Sequence, residues 1–529
     1  MSGFREECAV FGVYGSKQAA LHVALGLHAL QHRGQEATGI VSLDDTHMHS
    51  HRGMGHVGKH FDAHSDTLDK LIGTSAIGHN RYPTHGGSDT ANIQPFTCHL
   101  THRHAHFHPH GTRTDIGTPL LSSPDSKHKD KHEGNAFALA HNGNLRNADD
   151  LRHALTKQGI EFQTTSDTEV IIHLLGQAEG DSIATRLAGA LEGVKGAYSL
   201  LALSDEGMIA VRDPLGIRPL VLGKLPGGTG KTNNTAWVVS SETCGFDIIG
   251  AEYVRDISPG EVLVIDKNGS HSFFPFAKHP HRFCVFEYIY FARPDSIIEH
   301  RHVYQMRKNI GKELAQESPI DADVIVPVPD SGVPAALGYA EESAIPFDLG
   351  IIRSHYVGRS FIQPTTENRQ TSVKLKHSAN RPSVDGKRII LVDDSIVRGT
   401  TSMRIVAMMR EAGAKEVHMR IASPPTTHPC FYGVDTPDQD NLIAAQLDRN
   451  TTALAEYLNS DSVAFVSLDG LYRALGETKR NNALPQFCDA CFSGEYPDAP
   501  NASKVPNAAD AQTNQDSLLQ HQQQPVVAE

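Results

Sequence analysis

The densest run of reactive residue types in this chain is Ile389-Ile390-Leu391-Val392-Asp393-Asp394-Ser395-Ile396-Val397-Arg398-Gly399-Thr400-Thr401. Four apolar residues predict a buried strand, two carboxylates close it, and a short turn with Ser, Gly and Thr opens a helix. Backbone N–H groups at such a helix start suit a phosphate, and Asp393 and Asp394 suit ribose hydroxyls, with or without Mg²⁺. A plain strand-to-helix loop with Asp as N-cap accounts for one carboxylate but not for two. A companion loop, Pro327-Val328-Pro329-Asp330-Ser331-Gly332, also follows an apolar stretch and by itself reads as a turn. Between the two, Arg353 to Arg381 is rich in Arg, Lys, Ser and Thr. That composition fits a surface loop or a mobile hood over an anionic ligand.

The N-terminal half offers Cys8 and four polar clusters: Gln31-His32-Arg33-Gly34-Gln35-Glu36, Gly78-His79-Asn80-Arg81-Tyr82, His141-Asn142-Gly143-Asn144 and Thr165-Ser166-Asp167-Thr168-Glu169. Taken singly, each cluster is a turn or a hydrogen-bonded surface, and a lone cysteine is a small buried hydrophobe. The last constellation is Cys488-Asp489-Ala490-Cys491 with Cys284 and Cys430 far upstream. Spacing alone leaves zinc, a redox pair or an iron–sulfur cluster open. Gly228-Thr229-Gly230-Lys231-Thr232 mimics a nucleotide-binding P-loop, but the first glycine of that pattern would fall on Leu225 and a strand follows instead of a helix. Eight of the 32 histidines crowd into residues 99–132. Without ordered ligand spacing this stretch reads as a flexible loop insertion, with adventitious zinc or nickel binding as its alternative.

These groups need two kinds of scaffold. Upstream of about residue 280, alternating runs such as Cys8–Tyr14, Phe137–His141, Ser199–Leu203 and Trp237–Ser240 predict strands between Gly-rich turns. Two helical patterns interrupt them, one facing inward through Leu21, Ala24, Leu25 and His28, the other through Val170, His173 and Leu174. Strand runs with few helices predict an α+β antiparallel sandwich. Downstream the rhythm becomes β-α-β, with strands at Asp323–Val328, Gly350–Arg353, Arg388–Asp393 and Glu416–Ala422. Helices are expected from Val303 to Ala315 and from Thr401 to Ala412, the latter stopped by Gly413. Continuous apolar strands predict a doubly wound parallel sheet with ligands at the strands' carboxyl ends.

Length and composition set the outer bounds. At 529 residues the chain has room for two to four domains, and 39% hydrophobic residues argue against a disordered chain. No run of 18 apolar residues exists, so no membrane span is expected, and Met1–Gly12 lacks the basic and apolar regions of a secretory signal. Seven cysteines do not make a disulfide framework and point to a reduced cytoplasm. A net charge of −13 argues against nucleic-acid or membrane binding, so any phosphate site is local. After Tyr496 there are no aromatic residues, and the glutamine-rich end predicts a disordered tail over 497–529.

The Asp393-Asp394 run resembles the phosphoribosyl diphosphate (PRPP) signature of type I phosphoribosyltransferases. The N-terminal clusters, in their order, resemble glutamine amidotransferases with an N-terminal cysteine nucleophile. The segments Phe283–Tyr288, His428–Gly433 and Cys491–Pro497 look like the cluster-ligand segments of the [4Fe–4S] subclass of the amidophosphoribosyltransferase family. Together the resemblance covers Cys8 to about Pro497. It implies an αββα glutaminase sandwich over 8–280, with the His-rich insert at about 99–132, and an α/β phosphoribosyltransferase domain with a parallel sheet over 281–496. Residues 1–7 are expected to be a propeptide, cleaved before Cys8 to free the α-amino base of the nucleophile. Asn142 and the Gly143 N–H then form the oxyanion hole, while Arg33, Arg81 and Asp167 bind glutamine. PRPP falls to Asp330, Ser331, Asp393, Asp394, Ser395, Val397, Arg398, Gly399 and Thr400. One Mg²⁺ per subunit is expected at Ser331, Asp393 and Asp394. One [4Fe–4S] cluster is expected on Cys284, Cys430, Cys488 and Cys491, leaving Cys98 and Cys244 structural.

The implied reaction makes 5-phosphoribosylamine, glutamate and pyrophosphate from PRPP, glutamine and water, as the first step of purine synthesis. A cytoplasmic homotetramer inhibited by purine nucleotides is expected from the same resemblance. Hexosamine-phosphate synthase shares the glutaminase half but does not account for the Asp393-Asp394 loop. A PRPP sensor without catalysis has no use for the thiol.

Overall fold

The computed structural model describes residues 8–45, 47–62, 65–82, 89–100, 105–108, 115–119, 135–228, 235–354 and 377–498. The expected propeptide, most of the His-rich insert, the core of the P-loop look-alike, most of the expected hood and the tail from residue 499 lie outside these residues.

Two antiparallel sheets stack face to face in the N-terminal half. The first runs in the order 252–256, 221–226, 235–240, 9–14, 75–81, 37–43, 47–54, 115–119, and the second 269–273, 262–266, 207–212, 196–204, 135–145, 96–100, 105–108. Alternation along each strand explains the layering. On Ala9–Tyr14, Val10 points into the layer between the sheets, while Ala9, Phe11 and Val13 pack under the helix Ala19–Ala29. On Asn135–Leu145, Ala136, Ala138 and Ala140 face that same layer, and Phe137 and Leu139 turn outward beneath the helices Thr168–Gln177 and Ile183–Leu191. The result is the expected αββα sandwich.

The inward face expected for the first helix is corrected. Val23, Ala24 and Leu27 are buried, whereas Leu21 and His28 are exposed and Leu25 is half-buried. Gly78 on the strand beneath sets this face, because a Cβ there would stand 2.6 Å from Val23 and 2.7 Å from Leu27. The helix settles on its Val23–Leu27 side where the sheet offers no side chain.

In the C-terminal half a parallel sheet runs in the order Val324–Pro327, Arg388–Asp393, Glu416–Ile421, Ser462–Phe465. Both faces are covered. Ile325, Ile390 and Val392 meet the helices Val303–Glu317 and Val333–Ser343, and Ile389 and Leu391 meet Thr400–Glu411 and Thr451–Leu458. The strand expected at Gly350–Arg353 forms over Ile351–Arg353 but leaves this sheet, pairing antiparallel with His377–Ala379. Ile352 and Arg353 are exposed, so the segment has too little apolar surface for a strand covered on both faces. No helix among the described residues is long and apolar enough to cross a membrane.

Candidate active site

Cys8 sits at the entry of the strand Ala9–Tyr14, buried, with its thiol donating to the Tyr82 carbonyl at 3.5 Å. Ser241 couples this strand to the second sheet. Its hydroxyl accepts from the Val10 N–H at 3.0 Å and from Asn142 Nδ2 at 3.4 Å. Asn142 and Gly143 lie on Asn135–Leu145, opposite Ser199 and Tyr198. Gly143 has a φ of +150°, and a Cβ there would run into the Ala197 carbonyl, so the position calls for glycine. Asp167 flanks the same strand, accepting the Leu145 N–H at 2.9 Å. Arg81 ends the strand Ser75–Arg81 and pairs with Glu36. His79 is buried between the sheets and its Nε2–H donates to the His141 carbonyl at 3.0 Å. Burial lowers its pKa to about 3, so it stays neutral. Cys8, Arg81, Asn142, Gly143 and Asp167 therefore gather at one end of the sandwich.

Arg33, expected to contact glutamine, holds its guanidinium in ion pairs at the junction of the halves. Its guanidinium is fully buried and bonds Glu242 on one side and Glu287 on the other, with Nη2 to Glu287 Oε2 at 2.5 Å. Glu287 also accepts from Arg218 Nη1 at 3.3 Å, and Arg218 Nε donates to the Tyr432 carbonyl at 2.7 Å. Burial alone would raise the Glu242 carboxyl, but Arg33 and His32 hold it well below the usual carboxylate range. This network joins the two halves. Its members lie up to 254 positions apart, and no local motif marks them.

At the second site Asp393 closes the strand Arg388–Asp393 and Asp394 follows it, both buried. The Asp394 N–H bonds Asp393 Oδ1 at 3.0 Å, and the Ser395 hydroxyl donates to Asp394 Oδ1 at 2.5 Å. Burial, then repulsion from Asp394, pushes Asp393 well above the ordinary carboxylate pKa. Burial also raises Asp394, against hydrogen bonds from Ser331 and Ser395 and the charge of Arg307. Ser331 reaches Asp394 because Val324–Pro327 and Arg388–Asp393 are parallel neighbours, with Val392 opposite Pro327. Asp330 stays at the rim and pairs with Arg353. Residues Ser395 to Thr401 wrap a concave surface ahead of the helix Thr400–Glu411. Gly399 adopts a φ of +71° there, and a Cβ would stand 2.9 Å from the Tyr457 ring. Arg307, which sequence reasoning missed, lines a small cavity with Ser331 and Asp394.

Cys284, Cys430, Cys488 and Cys491 come together. Cys284 and Cys488 face each other on a short parallel strand pair, and the Thr427 and His428 N–H groups bond the Cys491 carbonyl at 3.0 and 3.1 Å. Burial raises the Cys491 thiol, and the other three sulfurs raise it further. None of the four is in a disulfide. Such a set of gathered thiols, two buried and two partly buried, has the donor chemistry of a cluster with one thiolate per iron. Among the described residues no group of three or more His, Cys, Asp or Glu side chains converges as the ligands of a single ion would. Cys98 and Cys244 lie apart, each packed in a separate apolar core with burial raising its thiol pKa.

A family profile described as a glutamine amidotransferase domain matches residues 124–243, and one described as a phosphoribosyl transferase domain matches residues 295–422. The fold and the two sites thus define a glutamine-dependent transferase acting on a phosphoribosyl substrate. The amidophosphoribosyltransferase of Rhizobium etli is 50% identical over 93% of this chain and 92% of its own. That of Bacillus subtilis is 43% identical over 94% and 95%. A solved structure of glutamine PRPP amidotransferase from B. subtilis, complexed with ADP and GMP, superposes with a TM-score of 0.80 at 42% identity. It covers 94% of this chain and 99% of that one. The chain belongs to the amidophosphoribosyltransferase family. It converts PRPP and glutamine to 5-phosphoribosylamine, the first step of purine biosynthesis.

Proposed function

We propose that Cys8 is the first residue of the active enzyme, residues 1–7 being a propeptide, and that the division of labour follows the two sites. The observation that carries this reading is the gathering of Cys8, Arg81, Asn142, Gly143 and Asp167 at one end of the sandwich. The freed α-amino group takes the Cys8 thiol proton, and the thiolate attacks the glutamine side-chain carbonyl. Asn142 Nδ2 and the Gly143 N–H hold the developing oxyanion, Arg81 the α-carboxylate and Asp167 the α-ammonium. Arg33 supports this pocket from behind through its ion pairs rather than touching substrate. Ammonia leaves, water cleaves the thioester to glutamate, and ammonia displaces pyrophosphate at ribose C1. Exclusion of water along its way keeps it unprotonated.

In the phosphoribosyltransferase half, which we begin at about residue 281, Asp393 and Asp394 hold the ribose. Ser395, Val397, Arg398, Gly399 and Thr400 cradle the 5′-phosphate, and Asp330 and Ser331 face the pyrophosphate end. Two buried carboxylates with raised pKa values and the Ser331 hydroxyl form an oxygen donor set that suits Mg²⁺. When bound, the ion would neutralise charge on the leaving pyrophosphate. The four gathered cysteines suit a [4Fe–4S] cluster that clamps the C-terminal segment to the junction of the halves, in a structural or oxygen-sensing role. Purine nucleotides as inhibitors, a homotetramer and a cytoplasmic setting complete the proposal. The ADP and GMP on the B. subtilis relative support the first of these. Intact mass together with iron and sulfide content of active protein tests it. A mass starting at Cys8 with about four irons per chain is expected. Full glutamine activity in protein that retains Met1–Glu7, or in colourless iron-free protein, overturns the corresponding part.

A further inference from the structure

The oxyanion strand is supported from outside its own domain. Beyond Gly143, Asn144 Nδ2 donates to the Phe431 carbonyl at 3.0 Å. Gly433, with a φ of +109°, packs on Gly143 so closely that a Cβ would stand 3.2 Å from the Gly143 carbonyl carbon. Two glycines from different halves thus stack backbone on backbone, one of them the residue read above as an oxyanion donor. The loop that carries Phe431 and Gly433 is itself held at three points. Arg218 Nε bonds the Tyr432 carbonyl, the Tyr496 hydroxyl bonds the Pro429 carbonyl at 2.7 Å, and the Tyr496 ring lies 4.9 Å from that of Phe431. Asp498 closes the arrangement. It accepts from the Tyr432 hydroxyl, and Arg146, two residues past Asn144, donates to its carboxylate at 3.1 Å and to its carbonyl at 3.0 Å.

We propose that Asn144, Arg146 and Asp498 are positioning residues for glutamine cleavage: the Pro429–Gly433 loop, strapped down by Tyr496–Asp498, is the back wall that sets where the Gly143 N–H points. This rests on the reading of Asn142 and Gly143 as the oxyanion hole. A donor aimed at a transition-state oxygen loses its effect on small displacement, because the charge it stabilises exists only at that point. Slackening the wall therefore weakens binding of the tetrahedral species while leaving the thiol and the glutamine ground state as they were.

The test uses full-length enzyme with Asn144→Asp, which keeps the side chain's size but removes the donor to Phe431, and separately Asp498→Ala at the surface end of the strap. Five quantities are measured: glutaminase kcat and KM, inhibition by the γ-aldehyde analogue of glutamine, the rate of Cys8 alkylation by iodoacetamide, and synthesis from added ammonia. The aldehyde forms a tetrahedral adduct that uses the oxyanion hole, whereas alkylation reads only the thiol. In both variants kcat and aldehyde affinity fall together by about tenfold, less than the 10²–10³ expected for removing a donor outright. KM, alkylation and ammonia-dependent synthesis stay at wild-type values. Undiminished aldehyde affinity in both variants overturns the proposal, as does a parallel loss of alkylation and ammonia-dependent synthesis. Asn142→Ala separates the underlying reading. If it too retains aldehyde affinity, the oxyanion assignment fails; if it alone loses affinity, the wall fails and the assignment stands. Should Asn144→Asp not fold, Asp498→Ala carries the comparison.

Discussion

Replacing Glu287 by Gln should be among the costliest single changes the fold can suffer, although the two side chains have nearly the same shape. Glu287 accepts from both Arg33 and Arg218, and all three side chains are fully buried. The four charges Arg33, Arg218, Glu242 and Glu287 sum to zero, so losing one carboxylate leaves a net positive charge away from water. Breaking a buried pair by removing one partner costs about 3–5 kcal/mol. Trp237, the single tryptophan, lies on the strand Thr235–Ser240 and reports unfolding of the glutaminase half. At a urea slope of about 3 kcal/mol per molar, that cost lowers the fluorescence midpoint by roughly 1–1.7 M. Glu287→Gln with Arg33→Gln removes one charge of each sign, and the double variant should be more stable than the sum of the single losses by about 0.5–3 kcal/mol. A midpoint shift below about 0.3 M for Glu287→Gln, or strict additivity in the pair, would refute the idea that this cluster is dry and coupled.

Further expectations concern the carboxylates, the cradle and the cysteines. Asp393 is held above its unfolded pKa of about 3.9, so the folded state binds more protons than the unfolded one. Stability should fall as pH rises from about 4 through the raised value. Asp393→Asn should flatten that slope and stabilise the neutral-pH protein by up to ~2 kcal/mol while losing synthesis. Asp213, raised to about 6 by burial, keeps the same sign of slope between about pH 4 and 6 in both proteins. A steeper slope in the variant, read by thermal melts across pH, would count against this. Gly399→Val forces a branched residue to a φ of +71° beside Tyr457. It should cost about 1–3 kcal/mol of stability and raise the KM for PRPP, leaving basal glutaminase intact. Cys488→Ser should remove most iron from anaerobically purified protein, and wild-type iron content would exclude Cys488 as a ligand.

The parts of the molecule legible in the sequence are those whose chemistry is local. Ile389–Thr401 carries strand, carboxylates, turn and helix start within thirteen residues, so its placement at the carboxyl end of a parallel strand follows from order alone. The Cys488–Cys491 spacing is similarly self-contained, and resemblance supplied its distant partners. The Arg33–Glu242–Glu287–Arg218 network was not legible, because charged residues separated by 209 and 254 positions read as ordinary surface until the fold buries them. The strand Ser462–Phe465 escaped notice because four residues carry little periodicity, and only Val463 of them is buried. The first helix turned a different face inward because the decisive residue, Gly78, lies on the strand it covers rather than on the helix.

The central claim, that one chain frees ammonia at Cys8 and uses it at Asp393–Asp394, is tested most directly by scoring 5-phosphoribosylamine formation in Cys8→Ala and Asp394→Asn with each nitrogen donor. Cys8→Ala should lose synthesis from glutamine but keep it from ammonia, and Asp394→Asn should lose both while still hydrolysing glutamine at the basal rate. Glutamine-dependent synthesis by Cys8→Ala, or undiminished ammonia-dependent synthesis by Asp394→Asn, would contradict it.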